Sequence, residues 1–186
     1  MQANHFGVFA YYTNNNEYDP QSIPNFMYNQ EVVWDSYWKY DPVLYWPNEY
    51  GSNAISDDND KVSFFAYAPY VKVVPSTGKI TETGDATKYG ITGMSRNIAN
   101  GDPLLKYLVS FDNDKEVDLL WGVCDDPHWN TVNDGTQIIN SVKGLPWLHV
   151  ERPQDPTALG ASTGQKVKFT FKHALAQLNV SVDTYA

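Results

Sequence analysis

The chain is short of several things, and each shortage narrows what it can be. It holds one cysteine, Cys124, so no internal disulfide can staple it, and nothing stands at metal-ligand spacing from that thiol. Arginine occurs only at positions 96 and 152, and 13 basic residues face 22 acidic ones, for a formal charge of -9. A field of that sign repels phosphate backbones and anionic lipid, so nucleic acid is not an expected partner. No apolar run approaches the ~18 residues of a membrane-spanning helix. The start, Met1-Gln2-Ala3-Asn4, has neither the basic opening nor the apolar stretch of a signal peptide, and the expectation is that a leader once preceded it.

Catalytic signatures are missing too. There is no Gly-x-Ser-x-Gly elbow, no phosphate-cradling glycine loop and no cysteine in a local catalytic pattern. The four histidines, His5, His128, His149 and His173, have no partner two or four residues away with which to build a zinc site. No internal repeat or low-complexity tract is evident. The expectation is a non-enzymatic protein without cofactor or metal.

What the chain has is aromatic residues, 15% of the total, together with Val, Thr, Asn and Asp in place of the strong helix formers. That balance favours strands and turns. Phe6 to Tyr12 reads as a strand buried almost throughout, closed by the turn cluster Thr13 to Asn16. Val32-Val33-Trp34 and Val43-Leu44-Tyr45-Trp46 are short strand candidates. Lys61 to Ala68 is apolar through its middle and stopped by Pro69, which predicts a central strand. Residues 75–103 predict a long excursion with one weak hairpin.

Leu104 to Phe111 and Glu116 to Val123 are expected to pair across the turn Asp112-Asn113-Asp114, with a second long loop from Asp125 to Gly164. Val167, Phe169 and Phe171 alternate with Lys166, Lys168, Thr170 and Lys172, the clearest period-two pattern in the chain. Leu178, Val180 and Val182 alternate in the same way. Several strands, long loops and no alternating helices predict an all-β fold, an antiparallel β-sandwich, in a single domain over residues 1–186.

Few clusters carry chemistry. Asp57, Asp58 and Asp60, and the series Asp112, Asp114, Glu116 and Asp118, invite a calcium reading because hard cations want converging carboxylates. Neither fits a calcium loop: Val117 stands where the second would need glycine, and a hydrated sheet face explains the pattern better. His173 ends a well-defined strand, where a structural hydrogen bond beside a turn is the expected role. Trp34, Trp38, Tyr45 and Trp46 offer flat rings that could stack on sugars or cover the open end of a sandwich.

Six segments together resemble the fimbrillin-like families of Bacteroidetes, which supply major and minor fimbrial subunits: FGVFAYYT (6–13), NFMYNQEV (25–32), WKYDPVLYWP (38–47), KVSFFAYAP (61–69), VDLLWGV (117–123) and VKFTFKHALAQLNVSV (167–182). All are packing motifs. The resemblance implies a Greek-key, transthyretin-like β-sandwich corresponding to an amino-terminal domain, with a second sandwich in the parent protein. It further implies a lipoprotein exported to the outer membrane or fimbrium and polymerised with other pilus subunits by strand exchange, with a host surface protein or glycan as a further partner. In that scheme Val167, Phe169 and Phe171 are one candidate wall of the groove that accepts a neighbour's strand. The rival reading is a surface glycan-binding lipoprotein or tip adhesin that uses the Trp34 to Trp46 aromatics.

Overall fold

The computed structural model describes residues 4–14, 21–44, 61–81, 90–110, 117–124, 148–151 and 169–175, and everything below concerns these. They form eleven strands: β1 (His5–Asn14), β2 (Met27–Asp35), β3 (Tyr37–Lys39), β4 (Lys61–Ala68), β5 (Val73–Val74), β6 (Lys79–Ile80), β7 (Ile91–Met94), β8 (Leu105–Tyr107), β9 (Leu120–Cys124), β10 (Leu148–Glu151) and β11 (Phe169–His173). No helix occurs among the described residues. All pairings are antiparallel. The all-β, antiparallel class predicted from composition is what the chain adopts.

A seven-stranded sheet runs in the order β11-β9-β4-β1-β2-β3, with β10 pairing β4, and a four-stranded sheet runs β5-β6-β7-β8. The centre of the larger sheet is β1 against β4, in register from Gly7↔Tyr67 to Tyr12↔Val62. Because side chains alternate across a strand, this pair sends Val8, Ala10, Phe64 and Ala66 to one face and Phe9, Tyr11, Phe65 and Tyr67 to the other. Both sets are buried. That is why these two segments read as continuous apolar runs: a strand covered on both faces has no polar side to show. Each large ring so removed from water contributes about 1.5–3 kcal/mol.

One face packs on the smaller sheet. Phe9, Tyr11, Phe65 and Tyr67 meet Val73, Ile91 and Met94, with Val71 and Leu119 in the same cluster. Polar ties cross with them: the Tyr11 hydroxyl donates to the Gly101 carbonyl at 2.9 Å, and the Tyr28 hydroxyl to the Ser95 carbonyl at 2.7 Å. Burial pushes the hydroxyls of Tyr11, Tyr28 and Tyr67 above the ordinary phenol range, and the Asp102 carboxylate adds to the effect at Tyr11. They stay neutral donors.

Tyr67 is held by a buried network. Its hydroxyl donates to Asn29 Oδ1 at 2.6 Å, the Asn29 amide donates to the Val71 carbonyl at 2.9 Å, and the Val71 N–H donates to the Tyr67 oxygen at 3.3 Å. Asn29 takes a φ of 48°, a left-handed conformation that asparagine tolerates better than most residues. The ring itself lies over Gly7, where any Cβ would come within 2.3 Å of it.

Several expectations are corrected. Leu104 to Phe111 and Glu116 to Val123 do not pair with each other: β8 joins the smaller sheet beside β7, while β9 joins the larger one between β4 and β11. Period-two patterning marks a strand but does not name its neighbour. Inside the stretch 125–164, read as loop, Leu148–Glu151 forms β10 on the lower half of β4. The strand predicted at Val32 to Trp34 extends over Met27–Asp35, Tyr37–Lys39 adds a strand, and Val43 and Leu44 are not in one. The stretch 75–103, expected to be an excursion with one weak hairpin, holds β6 and β7, and β6 pairs back with β5 at Val73–Val74, just before it. Leu178, Val180 and Val182, and Asp57, Asp58, Asp60, Asp112, Asp114 and Glu116, lie outside the described residues.

Two outcomes are expected. Tyr67→Phe leaves Asn29 Oδ1 without its donor and lowers stability by about 1–3 kcal/mol in urea titration. Above pH 10.0, the ordinary phenol value, unfolded-state tyrosines ionise while Tyr11 and Tyr67 stay neutral when folded, so stability present below that pH falls as pH rises. Each contributes a slope approaching ~1.4 kcal/mol per pH unit, and Tyr11→Phe makes the alkaline loss shallower in pH-dependent melts.

Candidate functional site

The remaining face of the large sheet has no second sheet on it among the described residues. Phe6, Val8, Ala10, Met27, Val32, Val62, Phe64, Ala66 and Ala68 are buried there, with Tyr40, Leu44, Leu120, Phe169 and Phe171 half-buried against them. Its middle is made of small residues. Ala68 and Ala66 on β4 stand beside Leu120 and Gly122 on β9, and Gly122 stands beside Phe171 on β11. A Cβ on Gly122 would sit 3.1 Å from the Phe171 ring, so that ring lies across the glycine.

Over this low centre the larger rings from both flanks meet. Phe6 lies 5.2 Å from Phe171 and 5.9 Å from Phe169, both edge-on, and Phe169 lies 6.3 Å from Phe64. On its other side Phe6 meets Trp38 at 5.0 Å, and Trp38 meets Trp34 at 5.2 Å across the β2–β3 pair. Edge-to-face contacts at these separations add about 0.5–1.5 kcal/mol each beyond area burial. The result is a continuous aromatic ridge from one edge strand, β3, to the other, β11.

Two groups of residues singled out separately in the sequence are therefore joined. Phe169 and Phe171 form one end of the ridge and Trp34 and Trp38 the other, the tryptophans 49% and 43% exposed. Val167, Tyr45 and Trp46 lie outside the described residues. Sequence reasoning missed Phe6 as the link. The available signal was the run of small residues at 66, 68 and 122, which leaves room for a ring to bridge strands that are not neighbours.

At the β11 end, His173 Nδ1 pairs with the Asp118 carboxylate at 2.8 Å, and the Ala174 N–H donates to the Leu119 carbonyl at 2.8 Å. This is the hydrogen bond beside a turn expected for His173; Asp118 is exposed and stands before β9, not on a strand. At the β3 end Lys39 binds Asp35 and holds its carboxyl below the usual range, first through that hydrogen bond and then through charge. Both side chains are solvated, so the pair fixes the hairpin geometry more than it stabilises it. Among the described residues no three His, Cys, Asp or Glu side chains converge on a metal position.

The edges matter because of their backbone. Among the described strands β11 pairs only with β9, and β3 only with β2. An unaccompanied edge presents a row of N–H and C=O groups to whatever strand arrives. The molecule is thus an antiparallel two-sheet β protein with an aromatic face that ends in open edges and with no convergent ionisable cleft among the described residues.

Against known proteins, no family model matches the chain. Over 90 residues it is 39% identical to the fimbrium subunit Fim1C of Phocaeicola vulgatus, a match covering 45% of this chain and 21% of that protein. Among solved structures, a fimbrial protein from Bacteroides vulgatus ATCC 8482 aligns over 70% of this chain and 35% of its own, with 32% identity and a TM-score of 0.46. The chain spans about a fifth and a third of the lengths of these two relatives. It resembles the fimbrial proteins of Bacteroidetes.

The ridge sets a graded expectation for substitutions. Phe171→Ala removes a half-buried ring and costs roughly half the full-burial loss, about 2 kcal/mol, whereas Trp34→Ala at the solvated end costs under ~1 kcal/mol. Thermal melts of the two variants check the order, and equal losses would contradict the geometry.

Proposed function

We propose that the chain is a structural, non-enzymatic part of a cell-surface fimbrial subunit that assembles by strand addition at the β11 edge. The observation that carries this is an edge strand whose large side chains, Phe169 and Phe171, are half-buried at the rim of the core, in a chain with a 39% identical stretch to a fimbrium subunit.

An arriving strand gains main-chain hydrogen bonds along β11 and places alternate side chains against the ridge, the two components of β-augmentation. The donor's rings or branched chains extend the apolar face beyond Phe169, so register is chosen by which donor positions fit. Because donor and acceptor are different surfaces, repetition does not close and yields a fibre. Donor-strand exchange, attachment to the outer membrane through a lipid and a Greek-key, transthyretin-like topology belong to this proposal, as does Val167 as a further part of the groove. Other pilus subunits are the partners it requires.

A second reading rests on Trp34 and Trp38, whose half-exposed T-shaped rings suit sugar stacking in an adhesin, with a host glycan as partner.

Phe171→Asp tests the first reading. The expected result is a chain that keeps its β-sheet circular dichroism but no longer enters fibres seen by electron microscopy; normal fibres from that variant would refute it. For the second, glycan-array binding lost on Trp34→Ala supports stacking, and binding that survives the change removes it.

A further inference from the structure

Between β7 and β8 the chain runs through Asn100-Gly101-Asp102, and Gly101 is the one glycine in the sequence that directly follows an asparagine. That pair has a chemistry of its own. Glycine carries no Cβ to shield its main-chain nitrogen, so this nitrogen can reach Cγ of the side chain before it. Asparagine is for that reason among the thermolabile residues. Asn100 is exposed to the water the reaction consumes, and Gly101 is half-buried behind it.

The fold holds each group that the reaction must move. The Gly101 N–H, which belongs to the attacking nitrogen, donates to the Ser22 carbonyl at 2.9 Å. The Asn100 side-chain amide, which is the leaving group, donates to Gln21 Oε1 at 3.1 Å. The Gly101 carbonyl accepts from the Tyr11 hydroxyl at 2.9 Å, which ties the residue to β1. Gly101 takes a φ of 85°, a left-handed conformation open to glycine. The segment that supplies Gln21 and Ser22 is itself anchored: Pro24 is buried, and the Phe26 N–H donates to the Ala10 carbonyl at 3.1 Å.

We propose that Asn100-Gly101 is a self-modifying site, silent while residues 21–22 and Tyr11 grip it and converting asparagine to aspartate or isoaspartate when that contact opens. In the first step the Gly101 nitrogen bonds to Asn100 Cγ and the bond from Cγ to Nδ2 breaks. The amide leaves as ammonia, taking the proton that the Gly101 nitrogen gives up. Water then opens the cyclic imide. Attack at Cγ restores the ordinary chain with an aspartate side chain, while attack at the Asn100 main-chain carbonyl routes the chain through the side chain as isoaspartate. Neither step oxidises or reduces anything.

Either product places a carboxylate beside Asp102 and removes the donor that meets Gln21. Isoaspartate also lengthens the main chain and moves Gly101 out of line with Ser22 and Tyr11. The tie from Tyr11 to Gly101 joins β1 to the connection between β7 and β8, so its loss loosens the smaller sheet on the larger one. Opening of the contact is reversible, whereas the modification is not. The inference stands apart from the fimbrial reading and needs no partner.

Incubation of the purified full chain in mildly alkaline buffer, with and without urea, tests it, with Asn100 followed by peptide mapping and mass spectrometry. Conversion at Asn100 is expected in both, at least ~10-fold slower without urea, because the holding bonds must open first. Gln21→Ala, at an exposed position, should speed the reaction in buffer by ~3-fold or more and leave the rate in urea unchanged, and Tyr11→Phe should do the same. Tyr28→Phe removes a similar tie, to the Ser95 carbonyl, and should change the rate by less than ~2-fold.

Equal rates in buffer and in urea would show that the fold does not guard the site. Equal acceleration by Gln21→Ala and Tyr28→Phe would show that overall stability, and not this contact, sets the rate. Either result overturns the inference, as does a chain whose Asn100 stays intact in urea.

Discussion

The pairing of β1 with β4 is the constraint from which the rest follows. Both strands are buried on both faces, so every backbone N–H and C=O on them must find its partner within the sheet. Two apolar faces then need two covers. One is the four-stranded sheet, reached by Phe9, Tyr11, Phe65 and Tyr67; the other begins as an aromatic ridge laid over alanines and a glycine. The Tyr67, Asn29 and Val71 network fits this scheme, since a phenol driven so deep is tolerable only when its oxygen is fully bonded.

Function in such a protein is a matter of surfaces. Nothing among the described residues gathers ionisable groups into a cleft, and the strongest shifts in acidity belong to buried tyrosine donors whose task is packing. What the larger sheet offers is an apolar face that, among the described residues, runs out to the unaccompanied strands β3 and β11.

The sequence made some of this legible for plain reasons. Lys61 to Ala68 and Phe6 to Tyr12 were readable because burial on both faces leaves an unbroken apolar run, and Phe169 and Phe171 because they alternate with Lys168, Thr170 and Lys172, which mark a solvated side. Neighbours were not readable. β8 and β9 look like a hairpin in the chain, yet they belong to different sheets, because pairing is set by tertiary packing that period-two alternation does not encode. β10 was hidden as four residues within a long polar stretch. The joining of Trp38 to Phe171 through Phe6 was harder to read because the small residues at 66, 68 and 122 that make room for it lie on two strands whose adjacency the sequence does not give.

Native-state hydrogen exchange of the isolated chain tests the central pairing most directly. If β1 and β4 are one unit sandwiched between two covers, the amides of Val8 to Tyr11 and of Val62 to Tyr67 exchange only through global unfolding, at a single common slowest free energy, while β3 and β11 open locally and exchange faster. Separate opening of β1 from β4, or protection in β11 equal to theirs, would contradict the account.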